Sequence, residues 1–114
     1  LSAAHQEGIH TAIETSGFAA GEVFLSVIRH ADLLLFDYKA TGEDAHRRLT
    51  GVPQKPILDN LSRADACGVE IYLRCPIVPG CNDTDAHYAA IAALADRYSR
   101  ITRVELEPYH ALGT

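Results

Sequence analysis

Methionine is absent from all 114 residues and the chain begins at Leu1, so the expectation is a piece of a longer protein. No apolar run approaches the roughly 20 residues that span a bilayer. Leu1 to Gly8 lacks the basic and apolar regions of a signal peptide. A soluble, cytoplasmic chain with no membrane partner is expected. Lys and Arg total 10 against 15 Asp and Glu, a net charge of -5, and they nowhere gather into a stripe that could track phosphates. Nucleic acid is therefore not an expected partner. Cysteine is sparse: Cys67, Cys75 and Cys81 fit neither paired zinc knuckles nor a disulfide framework, and reduced, mostly buried thiols are expected. No low-complexity segment or linker interrupts the chain.

What is present is ordinary for a folded domain, with 47% hydrophobic and 22% charged residues in 12.4 kDa, enough for one core. The central stretch is Asp32 to Lys39, where four apolar residues run into Asp37 and Lys39. Such a run reads as a parallel strand covered on both faces. Asp37 and Lys39, two apart, point to one side of the sheet, and a carboxylate and an ammonium leaving an apolar strand together must be paired or used.

Around that strand the chain alternates. Leu1 to Glu7 has the composition of a helix tail closed by Gly8, and Ile9 to Thr15 reads as a strand ended by Ser16-Gly17. Phe24, Val27, Ile28 and Ala31 recur at helical spacing. Glu43 to Leu49 predicts a short helix inside a long connection, and Lys55-Pro56 opens a longer one ended by Gly68. Val69 to Val78 is the third strand. A helix capped by Asn82 or Asp83 follows, its stripe formed by Tyr88, Ile91, Ala95 and Tyr98, and then a short strand over Val104 to Leu106. The order calls for an α/β fold, a parallel sheet with right-handed crossovers and outer helices, either an open sheet or half of a barrel. The incomplete ends favour half a barrel.

In both architectures ligands bind at the C-terminal ends of the strands. Those ends carry Glu14 and Thr15, Asp37 and Lys39, Arg74, and His110. Acids, cations, a hydroxyl and an imidazole on one rim suit a zwitterionic ligand with a carboxylate, an amine and a ribose.

Four stretches, residues 10–18 (HTAIETSGF), 35–39 (LFDYK), 72–83 (YLRCPIVPGCND) and 105–113 (ELEPYHALG), resemble the glycyl-radical-enzyme activating enzymes, above all the type that acts on pyruvate formate-lyase. The resemblance implies the radical S-adenosylmethionine superfamily and the C-terminal portion of a partial (β/α)6 TIM-like barrel. It implies that Lys39 and Arg74 hold the methionine carboxylate, with His110 near the ribose. Glu14, Thr15 and Asp37, with the backbone carbonyl of Leu35, match positions that hold a monovalent cation. Glu14 stands where the family often has Asp.

The family's [4Fe-4S] cluster is held by a Cys-x3-Cys-x2-Cys motif that does not occur in these residues. Residues 1–114 are accordingly expected to be a single fragment lacking the N-terminal cluster-binding part, and inactive by itself. In the whole enzyme the implied reaction is reductive cleavage of S-adenosylmethionine. The resulting radical takes a hydrogen atom from a glycine of a partner such as pyruvate formate-lyase, with reduced flavodoxin or ferredoxin as electron donor. Two other readings compete: a TIM-barrel lyase or aldolase using Lys39, which lacks the further Asp at Gly42 and a phosphate loop, and a non-catalytic half-barrel interaction module.

Overall fold

The computed structural model describes residues 10–108, so the helix expected over residues 1–7 and the site residue His110 lie outside the described residues. The elements are β1 (Ala12–Thr15), α1 (Gly21–Ile28), β2 (Leu33–Asp37), α2 (Glu43–Thr50), α3 (Lys55–Cys67), β3 (Glu70–Ile77), α4 (Asp85–Arg97) and β4 (Ile101–Pro108). The strands form one sheet in the order β1-β2-β3-β4, with every neighbouring pair parallel. Spatial order that follows chain order is that of a barrel arc. A doubly wound sheet would reverse direction at a switch point. Among the described residues no helix is long and apolar enough to cross a membrane.

Alternation along the strands divides the sheet into two unlike faces. Leu34, Phe36, Ile71, Leu73 and Cys75 are fully buried against Phe24 and Ile28 of α1, Ile57, Leu61 and Ala64 of α3, and Ile91 of α4. The opposite face carries Glu14, Leu33, Leu35, Asp37, Tyr72, Arg74, Glu105 and Glu107, none of them fully buried. The apolar run of β2 is thus covered on one face only, where cover on both was expected. Its two open-face leucines, Leu33 and Leu35, are half-buried because Asp37 and the acids of β4 share their side of the sheet.

The helices follow from simple local rules. Pro56 stands in the first turn of α3, and Gly68 closes that helix in the left-handed region at φ 88°. Glu43, at the start of α2, accepts the backbone N–H groups of Gln54 (3.1 Å) and Lys55 (2.8 Å), supplying the cap that α3 lacks from its own sequence. Those bonds hold the Glu43 carboxyl below the usual range. The cap of α4 is Thr84, whose hydroxyl accepts the His87 N–H at 3.1 Å, and not Asn82 or Asp83 as expected. Those two side chains are used in the preceding turn, where Asp83 accepts from Gly80 N–H and Asn82 from Val78 N–H. The buried stripe of α4 is led by His87 and Ile91, while Tyr88 is exposed. β4 spans eight residues instead of the three expected.

Candidate functional site

β1 delivers Glu14 to the open face and turns sharply. The Thr15 hydroxyl accepts the Gly17 N–H at 2.9 Å, and Gly17 takes φ 78° directly against the Phe36 ring, where a Cβ would collide. Asn60, fully buried on α3, donates to the carbonyls of Gly17 (2.7 Å) and Ala19 (2.9 Å) and so holds the turn to the helix layer. Thr15 pairs with Phe36 in the register and lies on the helix-covered face, away from Glu14 and Asp37. Its hydroxyl is directed at the turn.

At the tip of β2, Asp37 pairs with Arg74 of β3, and Arg74 with Glu105 of β4, so the three stand in one row across the sheet. Arg74 is enclosed by carboxylates: Nη1 lies 2.6 Å from Glu14, Nη2 2.8 Å from Glu107, and Nε 3.5 Å from Glu105. The Nε atom is buried without a hydrogen bond. The bond to Glu107 and the surrounding negative charge raise the Arg74 pKa further, which makes it a permanent cation. Arg103 extends the row, 3.2 Å from Glu105 and with its guanidinium over the Tyr72 ring. Lys39 is held far more loosely, with Nζ 3.9 Å from Asp37 and its side chain 37% exposed. Burial pushes the Asp37 carboxyl up, and Lys39 and then Arg74 pull against that shift.

The structure therefore brings Glu14, Asp37, Lys39 and Arg74 together, the first three at the C-terminal ends of β1 and β2 and Arg74 within β3, which continues to Ile77. A cavity of about 220 Å³ adjoins them, lined by Ser16, Phe18, Asp37, Lys39, His46 and Thr50 among others. Three residues that were not among the expected site residues complete the arrangement. Glu105 and Glu107 pair with Arg74, and the alternation Arg103-Glu105-Glu107 on one strand face was the available signal. Asn82 donates to the carbonyls of Lys39 (2.7 Å) and Pro76 (2.9 Å), joining the tips of β2 and β3 and fixing the backbone beneath Lys39.

The donor set fits S-adenosylmethionine at one cation in particular. An ammonium with only a distant partner has its charge available for a carboxylate, whereas the charge of Arg74 is already offset by three acids. The surplus of acids on the same face suits a ligand that also carries positive charge. An iron-sulfur cluster does not fit the three thiols. Cys67 precedes β3, Cys75 lies within it and Cys81 follows it, a strand of eight residues or roughly 26 Å. Cys75 is also buried, its thiol pushed up to about 12 by burial first and then by Asp37 and Glu107. Cys67 and Cys81 are exposed, contrary to the expectation of mostly buried thiols. Among the described residues no group of three or more His, Cys, Asp or Glu is arranged to hold a metal ion.

No family model matches the chain. It is 36% identical over its whole length to the isethionate sulfite-lyase activating enzyme of Nitratidesulfovibrio vulgaris, of which it covers 37%. It is 33% identical to the pyruvate formate-lyase-activating enzyme of Clostridium pasteurianum, over 99% of this chain and 47% of that protein. The chain thus spans less than half the length of these curated relatives. A crystal structure of a domain of pyruvate-formate lyase-activating enzyme from Bacteroides vulgatus superposes with a TM-score of 0.84 at 30% identity, covering 96% of this chain and 68% of that one. A parallel barrel arc with charged strand tips, matched at this identity over most of a solved domain, belongs to the family of glycyl-radical-enzyme activating enzymes.

Proposed function

We propose that these residues form the S-adenosylmethionine-orienting rim of a radical activase that generates a glycyl radical on a partner lyase such as pyruvate formate-lyase. The observation that carries the reading is the contrast between the two cations. Arg74 is charge-compensated by three carboxylates, Glu14, Glu105 and Glu107, whereas Lys39 has one distant acid partner and borders a cavity. Lys39 takes the methionine carboxylate through charge-assisted hydrogen bonds. Arg74 orders the acids around the ligand, and its unused N–H groups add to the hold on the carboxylate that the resemblance implies. Asp37 keeps Lys39 aimed along the open face, and Asn82 holds its backbone. His110 keeps the role near the ribose that the resemblance implies. A monovalent cation beside the ligand would draw on Glu14, Asp37 and the Leu35 carbonyl; the Thr15 hydroxyl lies on the opposite, helix-covered face.

The three thiols here would not hold an iron-sulfur cluster; bound by other residues, it would supply the electron for cleavage, drawn from reduced flavodoxin or ferredoxin. The residues described above bind and orient, and none of them is placed to move a proton. The test is anaerobic reconstitution of the enzyme with iron and sulfide, reduction, and addition of S-adenosylmethionine and the partner lyase. The reading expects 5′-deoxyadenosine by chromatography and a glycyl radical signal by electron paramagnetic resonance. A reconstituted cluster that yields neither would contradict it.

A further inference from the structure

A second and larger cavity, about 310 Å³, lies between α2 and the start of α4. None of the rim residues assigned to S-adenosylmethionine lines it. Its walls are short apolar side chains, Ala40, Ala45, Leu49 and Ala86, with Arg48 and His87 as the ionisable groups and Cys81 beside them. His87 is only 2% exposed, yet its Nε2 has no hydrogen-bond partner. A buried polar atom left unpaired costs free energy unless something outside the chain completes it.

Hydrogen-bond direction settles what that atom offers. The Gln54 carbonyl oxygen accepts the Gly42 N–H at 2.9 Å and its NH2 group donates to the Ala40 carbonyl at 2.5 Å, which leaves the neighbouring Tyr38 to find its own partner. Among the described residues the proton of the buried Tyr38 hydroxyl has no acceptor in range but Thr41, 2.7 Å away, so Tyr38 donates to Thr41. Thr41 in turn donates to His87 Nδ1 at 2.8 Å, which leaves the ring proton on Nε2. The Tyr38 ring stacks on the imidazole at 5.4 Å and fixes its plane. Burial holds the His87 pKa below its ordinary value, so the ring stays neutral and Nε2–H is a fixed donor. Arg48 forms no ion pair with any described residue. Both groups are donors without acceptors, and the opening turn of α4 adds its positive end.

We propose that this cavity binds a short-chain carboxylate, its oxygens taken by Arg48 and His87 Nε2–H and its alkyl end held by Ala45, Leu49 and Ala86. A single guanidinium and a neutral imidazole between apolar walls match a monoanion with a small hydrocarbon body better than a phosphate dianion. The carboxylate is that of a free acid or of a Glu or Asp side chain on a peptide. This inference does not depend on the assignment of Lys39.

The test follows the His87 side-chain nitrogen resonances by NMR while propionate, neutral propionamide or a blocked glutamyl peptide is added. A saturable shift of Nε2 with propionate or the peptide is expected, and about tenfold or weaker binding of propionamide. Stronger binding of the peptide identifies a side chain as the natural ligand, and stronger binding of propionate a free acid. Arg48→Gln should weaken carboxylate binding about tenfold or more. Ala45→Leu, which fills the cavity without touching a polar group, should abolish it. Both positions are at least partly exposed, so the fold is retained. As a second readout, the bound carboxylate should slow alkylation of Cys81 and leave the other exposed thiol, Cys67, unaffected. Absence of a saturable shift with every probe, or binding unchanged in Arg48→Gln and Ala45→Leu, would overturn the proposal.

Discussion

The two faces of the sheet are built from the same strands, one residue apart, and obey opposite rules. On the helix-covered face Phe36 and Leu73 are fully buried and apolar, and the polar groups that share their layer, such as Asn60, are hydrogen-bonded to backbone carbonyls. On the open face Arg74 forms ion pairs with Glu14, Glu105 and Glu107, and Asp37 with Lys39, which leaves acids in excess. The first face carries the stability and the second carries the proposed ligand contacts. A substitution should therefore act very differently at neighbouring positions.

The largest expected effect breaks the covered face. Phe36→Ala or Leu73→Ala should lower unfolding free energy by about 3 to 5 and 2 to 5 kcal/mol respectively, measured by urea titration. Leu35→Ala, one residue from Phe36 but on the open face, should cost clearly less, and equal losses would erase the distinction between faces. Next comes Gly17→Ala, which places a Cβ in the Phe36 ring at φ 78°. Strain of that kind costs about 1 to 3 kcal/mol, and collision with a fully buried ring adds to it. Arg74→Ala should then lower the melting temperature at neutral pH by leaving Glu14, Glu105 and Glu107 facing one another, with partial recovery once the acids are protonated.

The smallest effects are those of pH, and they run in opposite directions on the two faces. His87 on the covered side has its pKa lowered from 6.5. As pH falls through 6.5 the unfolded chain takes up a proton that the folded chain refuses, so stability declines from there down to the folded pKa. Asp37 on the open side is raised from 3.8. Between 3.8 and its folded value the native state binds the extra proton, so this contribution is present at acid pH and is lost as pH rises. Urea midpoints between about pH 7 and pH 5 should therefore fall on acidification, and His87→Gln should flatten that slope.

Much of this was readable from the sequence, for identifiable reasons. The apolar run of β2 ending in Asp37 and Lys39, and the Pro56 and Gly68 that bound α3, depend on local rules and stand as expected. β4 was read too short because Arg103, Glu105 and Glu107 alternate with Val104 and Leu106, which reads as solvent-exposed until Arg74 is known to lie opposite. Asn82 and Asp83 were the expected caps of α4, and the role falls to Thr84 because Asn82 is drawn to Lys39, 43 positions away in sequence, and Asp83 to Gly80. Asn60, Gln54 and His87 were passed over because their partners lie in distant loops. The unpaired Nε2 of His87 has no signature in sequence at all.

The central claim is that Lys39, and not the charge-compensated Arg74, supplies the free charge that holds the methionine carboxylate. Calorimetric titration of reconstituted enzyme with S-adenosylmethionine tests it most directly. Lys39→Ala should weaken binding about tenfold to a hundredfold, equivalent to roughly 1.5 to 3 kcal/mol, with cluster content unchanged. Unchanged affinity in Lys39→Ala, or a borohydride-trapped adduct on Lys39 with a carbonyl substrate, would contradict the account.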